Sequence, residues 1–169
     1  MKKHPPSATQ RPLLSPDEIA AESIFVATLR LAHAFGASFD DLFKEYGLTS
    51  AQYNTLRVLR DAGPQGLSCQ EISAALIQRD PDITRLTDRL EERGLVQKER
   101  GVKDRRVVGV RLTDKGLKLV HDLDFPVTQR HISALSALSP SEENQLLALL
   151  RKVLTTHSKF LPQGTSSQF

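Results

Sequence analysis

Helical and strand-like hydrophobic periods follow one another in a definite order along this chain. Ile24, Thr28, Leu31, Phe35, Phe39, Leu42 and Tyr46 recur at spacings of three and four, which places them on one stripe of a long helix. Ser15-Pro16-Asp17-Glu18 opens that helix with a cap, a proline in the first turn and acids that complement the helix dipole. Gly47 closes it. A second helix, with Thr49 or Ser50 as its cap, is predicted to run to about Arg60, with Tyr53, Leu56, Val58 and Leu59 as its apolar contacts, and Gly63-Pro64-Gln65-Gly66 is a turn.

Ser68-Cys69-Gln70-Glu71 carries a capping box, in which each outer side chain satisfies the other residue's free backbone N–H, and starts a short helix to about Leu76. A polar break at Gln78-Arg79-Asp80 leads to Pro81, which lacks an N–H and fits a first helical turn. This next helix is predicted to reach about Arg93, with Ile83, Leu86 and Leu90 inward and Gly94 as its stop. Two short amphipathic helices joined by a tight polar connection are the minimal helix-turn-helix pattern. The period then changes. Leu95–Glu99 and Val107–Leu112 are rich in β-branched residues and are joined through Gly101-Val102-Lys103-Asp104, which predicts a two-stranded hairpin. Helical spacing returns with Leu117, Leu119, Val120 and Leu123. Ser139-Pro140-Ser141-Glu142 opens a last, Leu-rich helix carrying Leu146, Leu150, Val153, Leu154 and Phe160.

The predicted class is mainly α with a small β-hairpin wing. A winged helix-turn-helix occupies residues 48–112, between helical segments at 15–47 and 113–161, while 1–14 and 162–169 lack periodicity and read as a flexible arm and tail. With aromatics at 5% and no Trp, the core is expected to be built mostly from Leu. The apolar stripes at both chain ends need a partner, which the stripes alone leave open between intrachain packing and a second copy.

Charge sharpens the picture. The chain carries only +3 overall, yet Lys98, Arg100, Lys103, Arg105, Arg106 and Arg111 fall in one 14-residue segment against only Glu99 and Asp104. That segment alone exceeds the net charge of the whole chain, as expected for a local contact with phosphates of double-stranded DNA. In a helix-turn-helix the second helix enters the major groove. With Ile83, Leu86 and Leu90 inward, the opposite surface offers Asp82, Thr84, Arg85 and Asp88, with Arg89 on a flank. Arg85 can donate to guanine O6 and N7, and Thr84 can touch a thymine methyl or a phosphate. Asp82 or Asp88 can accept from a cytosine amino group or orient an arginine. Ser68 and Gln70 at the start of the preceding helix and Arg79 in the connection complete the expected contacts, with Lys103, Asp104, Arg105 and Arg106 at the wing tip.

Asp104-Arg105-Arg106, five further residues, and Leu112-Thr113-Asp114-Lys115-Gly116 match the Asp-x-Arg…Leu-Thr-x-x-Gly pattern of the multiple-antibiotic-resistance (MarR) family of transcription regulators, and Arg89–Val96 resembles that family's passage from recognition helix to wing. The likeness runs from about residue 17 to 160. It implies a homodimer joined by the first helix and the last two, a pseudo-palindromic operator, and Arg106 entering the minor groove with Asp104 orienting it. It also implies repression relieved by a small phenolic or aromatic acid effector, for which His33, Phe35, Phe39, Phe43 and Tyr53 are candidate lining residues, although such residues at helical spacing also serve as plain core.

The remaining chemistry is sparse. Nothing in the sequence suggests a cofactor. His4, His33, His121, His131 and His157 are scattered without ligand spacing, so no metal is expected. Cys69 excludes an intrachain disulfide and reads as a bystander, because redox-sensing members of the family carry their cysteine in the first helix. There is no Gly-x-Ser-x-Gly, phosphate-binding glycine loop or His-Glu-x-x-His, so no enzyme is expected. Apolar runs broken by charge and a start without a signal-peptide pattern predict no membrane partner and a cytoplasmic location. The rival reading is a winged helix that docks on another protein, and the concentrated cations of the wing argue against it.

Overall fold

The computed structural model describes residues 15–77, 82–100 and 108–157. Its elements in chain order are α1 (Pro16–Glu45), α2 (Ser50–Ala62), β1 (Leu67–Ser68), α3 (Cys69–Ala75), α4 (Ile83–Glu92), β2 (Val96–Arg100), β3 (Val108–Leu112), α5 (Asp114–Ala134) and α6 (Pro140–Thr156). The class is mainly α with a small antiparallel sheet. The strands lie in the order β1-β3-β2, with Leu67 opposite Val110 and the hairpin in the register Val96 to Leu112 through Arg100 to Val108.

The helix boundaries follow from local chemistry. Thr49, Ser68 and Ser139 are N-caps whose hydroxyls accept from the N3 backbone, while Gln52, Glu71 and Glu142 return the bond to the cap N–H. Of the two cap candidates for α2, Thr49 takes the position. α1 and α4 end alike: Gly47 and Gly94 take φ of 66° and 67°, and the residue after each reaches back, Leu48 N–H to Phe43 O and Leu95 N–H to Leu90 O. Both bonds close Schellman turns, which need a left-handed residue that glycine adopts without strain. Because Leu48, Phe43, Leu95 and Leu90 are all buried, each turn also seals the core.

The structure corrects or sharpens four points. α4 begins at Ile83 rather than Pro81, because Asp82 caps it with Oδ1 accepting from Arg85 N–H at 3.2 Å. The sheet has three strands rather than two, since Leu67 and Ser68 pair with β3 before α3 starts. Leu117 is exposed, and the α5 residues that enter the core are Val120, Leu123 and Val127. Finally, α1 is long and apolar enough to cross a membrane by length and composition alone. Uninterrupted apolar runs understate it, because Ile, Val, Leu, Phe and Ala lie on both sides of Glu22 and Arg30.

The chain divides into two compact units. In the described residues up to Ala37, α1 presents Ile19, Ile24, Phe25, Val26, Leu29 and Leu31 as exposed apolar side chains. From Ser38 onward, the core gathers Leu42, Phe43 and Leu48 with α2, α3, α4, the sheet and α5; Leu56, Ile72, Leu90, Val110, Val120 and Leu123 are fully buried. The expected dominance of Leu holds. α6 contributes nothing to this core: none of its residues is buried, and Leu147, Leu149, Leu150, Val153 and Leu154 are exposed. Phe160 lies outside the described residues.

Candidate nucleic-acid interface

The first helix of the motif, α3, is held at its start by Ser68, whose hydroxyl accepts from Glu71 N–H at 3.3 Å and donates to Glu71 Oε2 at 2.7 Å. The Ser68 backbone N–H, which donates to Glu71 Oε2 at 2.8 Å, and then its hydroxyl hold the Glu71 carboxyl below its ordinary pKa. Ser68 is thus already engaged as a cap, whereas Gln70 next to it is exposed. α3 meets α4 through Cys69 Sγ, 3.8 Å from Thr87 Oγ1, and Thr87 is fully buried with its hydroxyl donating to Thr84 O at 2.8 Å.

α4 turns Leu86, Thr87 and Leu90 into the core and leaves Thr84, Arg85, Asp88 and Arg89 exposed, as its sequence period requires. Arg85 and Arg89, one turn apart, join Thr49, Gln52, Asp82 and Leu86 in lining an open groove of about 310 Å³ between α4 and the start of α2. The other edge of α4 is used internally: Asp88 accepts from Lys98 Nζ, and Glu91 Oε1 accepts from Lys98 N–H at 3.0 Å. The helix end is tied down by Arg93, which donates to Gly47 O at 2.7 Å, and by Lys115, which donates to Arg93 O at 2.7 Å.

The hairpin extends from this base. Arg111 pairs with Glu99 across the two strands, so Lys98 and Arg111, both counted in the basic segment, already have acidic partners. The remaining cations of the segment are Arg100, Lys103, Arg105 and Arg106. Lys103, Asp104, Arg105 and Arg106 lie outside the described residues, as does Arg79 in the α3–α4 connection. The Asp88–Lys98 and Arg111–Glu99 pairs were not legible from sequence, because each depends on a strand register rather than on a local spacing.

The candidate effector residues separate into groups. Phe43 and Tyr53 are buried and stacked with centroids 4.3 Å apart, and Phe39 extends the stack to Phe43 at 6.0 Å. His33 is exposed and Phe35 half-buried in the segment of α1 before Ser38. A further residue, His131 of α5, packs on the half-buried Phe39 ring with centroids 4.9 Å apart. Loss of hydration there, with the nearby Arg57 cation, holds the imidazole below its ordinary pKa. Folding thus favours neutral His131, so its contribution is complete above the ordinary value of 6.5 and is lost as the pH falls below it. The thermal midpoint should fall there, and His131→Phe should flatten the decline; an unchanged profile in the variant would remove His131 as its cause. Among the described residues no three His, Cys, Asp or Glu side chains stand together to hold a metal ion.

The family model for the SarA/Rot transcriptional regulators matches residues 37–123, the stretch that holds α2 to β3. The chain is 37% identical over 119 residues to the HTH-type transcriptional regulator YkoM of Bacillus subtilis, covering 70% of this chain and 75% of YkoM. The crystal structure of a MarR transcription factor from Planctomyces limnophilus superposes with a TM-score of 0.62 at 40% identity, over 77% of this chain and 94% of that one. The chain belongs to the MarR family. As a MarR-family protein it is a winged-helix, DNA-binding transcription regulator, so the α3–α4 pair and hairpin are its helix-turn-helix and wing. The structure of BpsR of Bordetella bronchiseptica also matches, with a TM-score of 0.69 at 28% identity, over 78% of this chain and 98% of BpsR; the DNA binding of BpsR is regulated by 6-hydroxynicotinic acid.

Proposed function

We propose that this MarR-family chain is a cytoplasmic repressor that binds a pseudo-palindromic operator as a homodimer and is released by a small aromatic acid. The observation that carries the DNA reading is the division of labour on α4: its wing-side acids Asp88 and Glu91 are bonded to Lys98, while Arg85 and Arg89 stand exposed on the other edge. In this reading Arg85 reads a guanine edge, Thr84 a thymine methyl or a phosphate, and Arg89 and Gln70 approach the backbone. Asp82 supports Arg85 from the cap position, Ser68 sets the pitch of α3, and Arg79 meets phosphate beside the motif. Lys103, Arg105 and Arg106 enter the minor groove, with Asp104 orienting Arg106.

The homodimer is supported by the exposed apolar side chains of α1, α6 and, on α5, Phe125 and Ile132, which a second copy would remove from water. Two-fold symmetry then sets half-sites about one helical turn, roughly 10 bp, apart. The aromatic-acid effector is supported by BpsR and by the half-buried Phe39 ring against His131, on which a planar ligand would stack. Phe43 and Tyr53 form the floor behind it, and His33 and Phe35 belong to the same ligand-sensing helix. A thermal-shift series of hydroxylated aromatic acids should raise the melting temperature for the true class, by about 2.7 kcal/mol of stabilisation at one hundred times Kd.

The deciding experiment selects duplexes from a random-sequence library with the intact protein and measures their affinity as salt rises. Regulation by DNA binding predicts a steep loss, with log K falling by about 0.9 per phosphate neutralised for each tenfold rise in salt. Arg106→Ala should weaken the complex and shallow that slope. Absent or salt-insensitive binding would leave the protein-docking winged helix as the better account.

A further inference from the structure

Asp88 is an acid on the DNA-facing side of a recognition helix, where it repels phosphate, so its presence needs a compensating use. Its carboxylate accepts from Lys98 Nζ on β2. Lys98 is no ordinary surface lysine. It sits opposite Val110, which is fully buried, and only 15% of its side chain is exposed. Its backbone N–H donates to Glu91 Oε1 at 3.0 Å, so two carboxylates of α4, three residues apart and on one edge of the helix, grip a single wing residue.

A lysine whose side chain is mostly covered has to turn its ammonium out toward water once its carboxylate partner is removed. Turning Lys98 out disturbs β2 where it leaves the core beside Val96. The strand pair continues outward as far as Arg100 and Val108, toward the tip cations.

We propose that Asp88 is a positioning residue. Through Lys98 it sets the angle at which the wing leaves the recognition helix, and it reads no base. The inference rests on the DNA-binding reading above and predicts an effect of unusual sign. Removing an acid from a DNA-facing helix ordinarily tightens binding by relieving repulsion, whereas removing a strut weakens it.

The test uses the intact protein and duplexes selected by the wild type from a random library. Asp88→Ala is expected to lose about tenfold in affinity, uniformly across the selected duplexes, with unchanged base preference and a shallower salt dependence as wing contacts with phosphate are lost. Lys98→Met should lose about as much, and the double variant no more than either single one. Should Asp88→Ala fail to fold, Asp88→Asn keeps the shape, drops the charge and is read the same way. Tighter or unchanged binding by the Asp88 variant overturns the proposal, and so does an altered preference at one base pair, which marks a base contact. If the wild type selects no duplex, the operator reading itself fails, an outcome distinct from a wild type that binds and a variant that binds equally well.

Discussion

Gly116→Ala is expected to destabilise the fold by about 3 kcal/mol or more, with the loss read as a fall in the urea midpoint. A Cβ built on Gly116 would stand 2.0 Å from Leu95 O and 3.2 Å from Leu112 Cδ2. The first obstacle is backbone, so no rotamer change relieves it. The same carbonyl accepts from Thr113 N–H at 3.1 Å, and Thr113 Oγ1 donates to Gly94 O at 2.7 Å while accepting from Gly116 N–H at 3.1 Å. The start of α5 is therefore pressed directly onto the turn that ends α4, and a methyl group has to pry the two apart. This gives the Leu-Thr-x-x-Gly motif a physical reason: the threonine caps α5 and bonds the turn, and the glycine permits the approach. Gly109→Ala is the control, because its Cβ would meet only Glu99 O at an ordinary 3.7 Å and should be close to neutral. An equal loss in both variants would refute the close-approach account.

Leu150→Glu should produce a folded monomer whose affinity for the selected operator falls by about two orders of magnitude. Leu150 lies in the middle of α6, a helix with no buried residue, and is 42% exposed in the single chain, so the monomer has little need of it. In the proposed dimer the same side chain is covered by the second copy, where an unpaired carboxylate costs several kcal/mol. Losing the dimer also removes the gain from binding two half-sites at once, which is worth a factor of roughly 10²–10⁴. Sedimentation or light scattering checks the mass, circular dichroism the helix content, and fluorescence anisotropy the affinity. A variant that remains dimeric and binds as before would place the dimer surface away from α6.

The features that were legible in the sequence are those governed by near neighbours. Ser68-Cys69-Gln70-Glu71 is a capping box within four residues and Ser139-Pro140-Ser141-Glu142 a helix opening of the same length, and both cap helices in the structure. Gly47 and Gly94 were legible as stops, because a left-handed residue after an amphipathic run has few other uses. The inward face of α4 followed from its 3.6-residue period, and so did the exposure of Arg85, Asp88 and Arg89. β1 was not legible, because two residues show no period and only β3 makes them a strand. The Pro81 start missed by two residues, since a proline suited to a first turn and an aspartate suited to a cap stand side by side and local rules rank them poorly. Local spacing does not divide the candidate effector-lining residues, whereas in the structure Phe43 and Tyr53 are core and Phe39 keeps a half-exposed edge beside His131, a residue 92 positions farther along.

By itself, then, the sequence determined the order of elements, their caps and stops, the inward faces and the clustering of cations between residues 98 and 111, because each is decided within a few residues along the chain. Which of those charges are already used was decided only by the tertiary structure. The register of β2 against β3 and its packing on α4 bring Lys98 to Asp88 and Arg111 to Glu99, and such pairs depend on where separate elements meet. The same contacts pair cations at the base of the hairpin with acids, and in the proposed reading they make Asp88 a strut between helix and wing rather than a base reader.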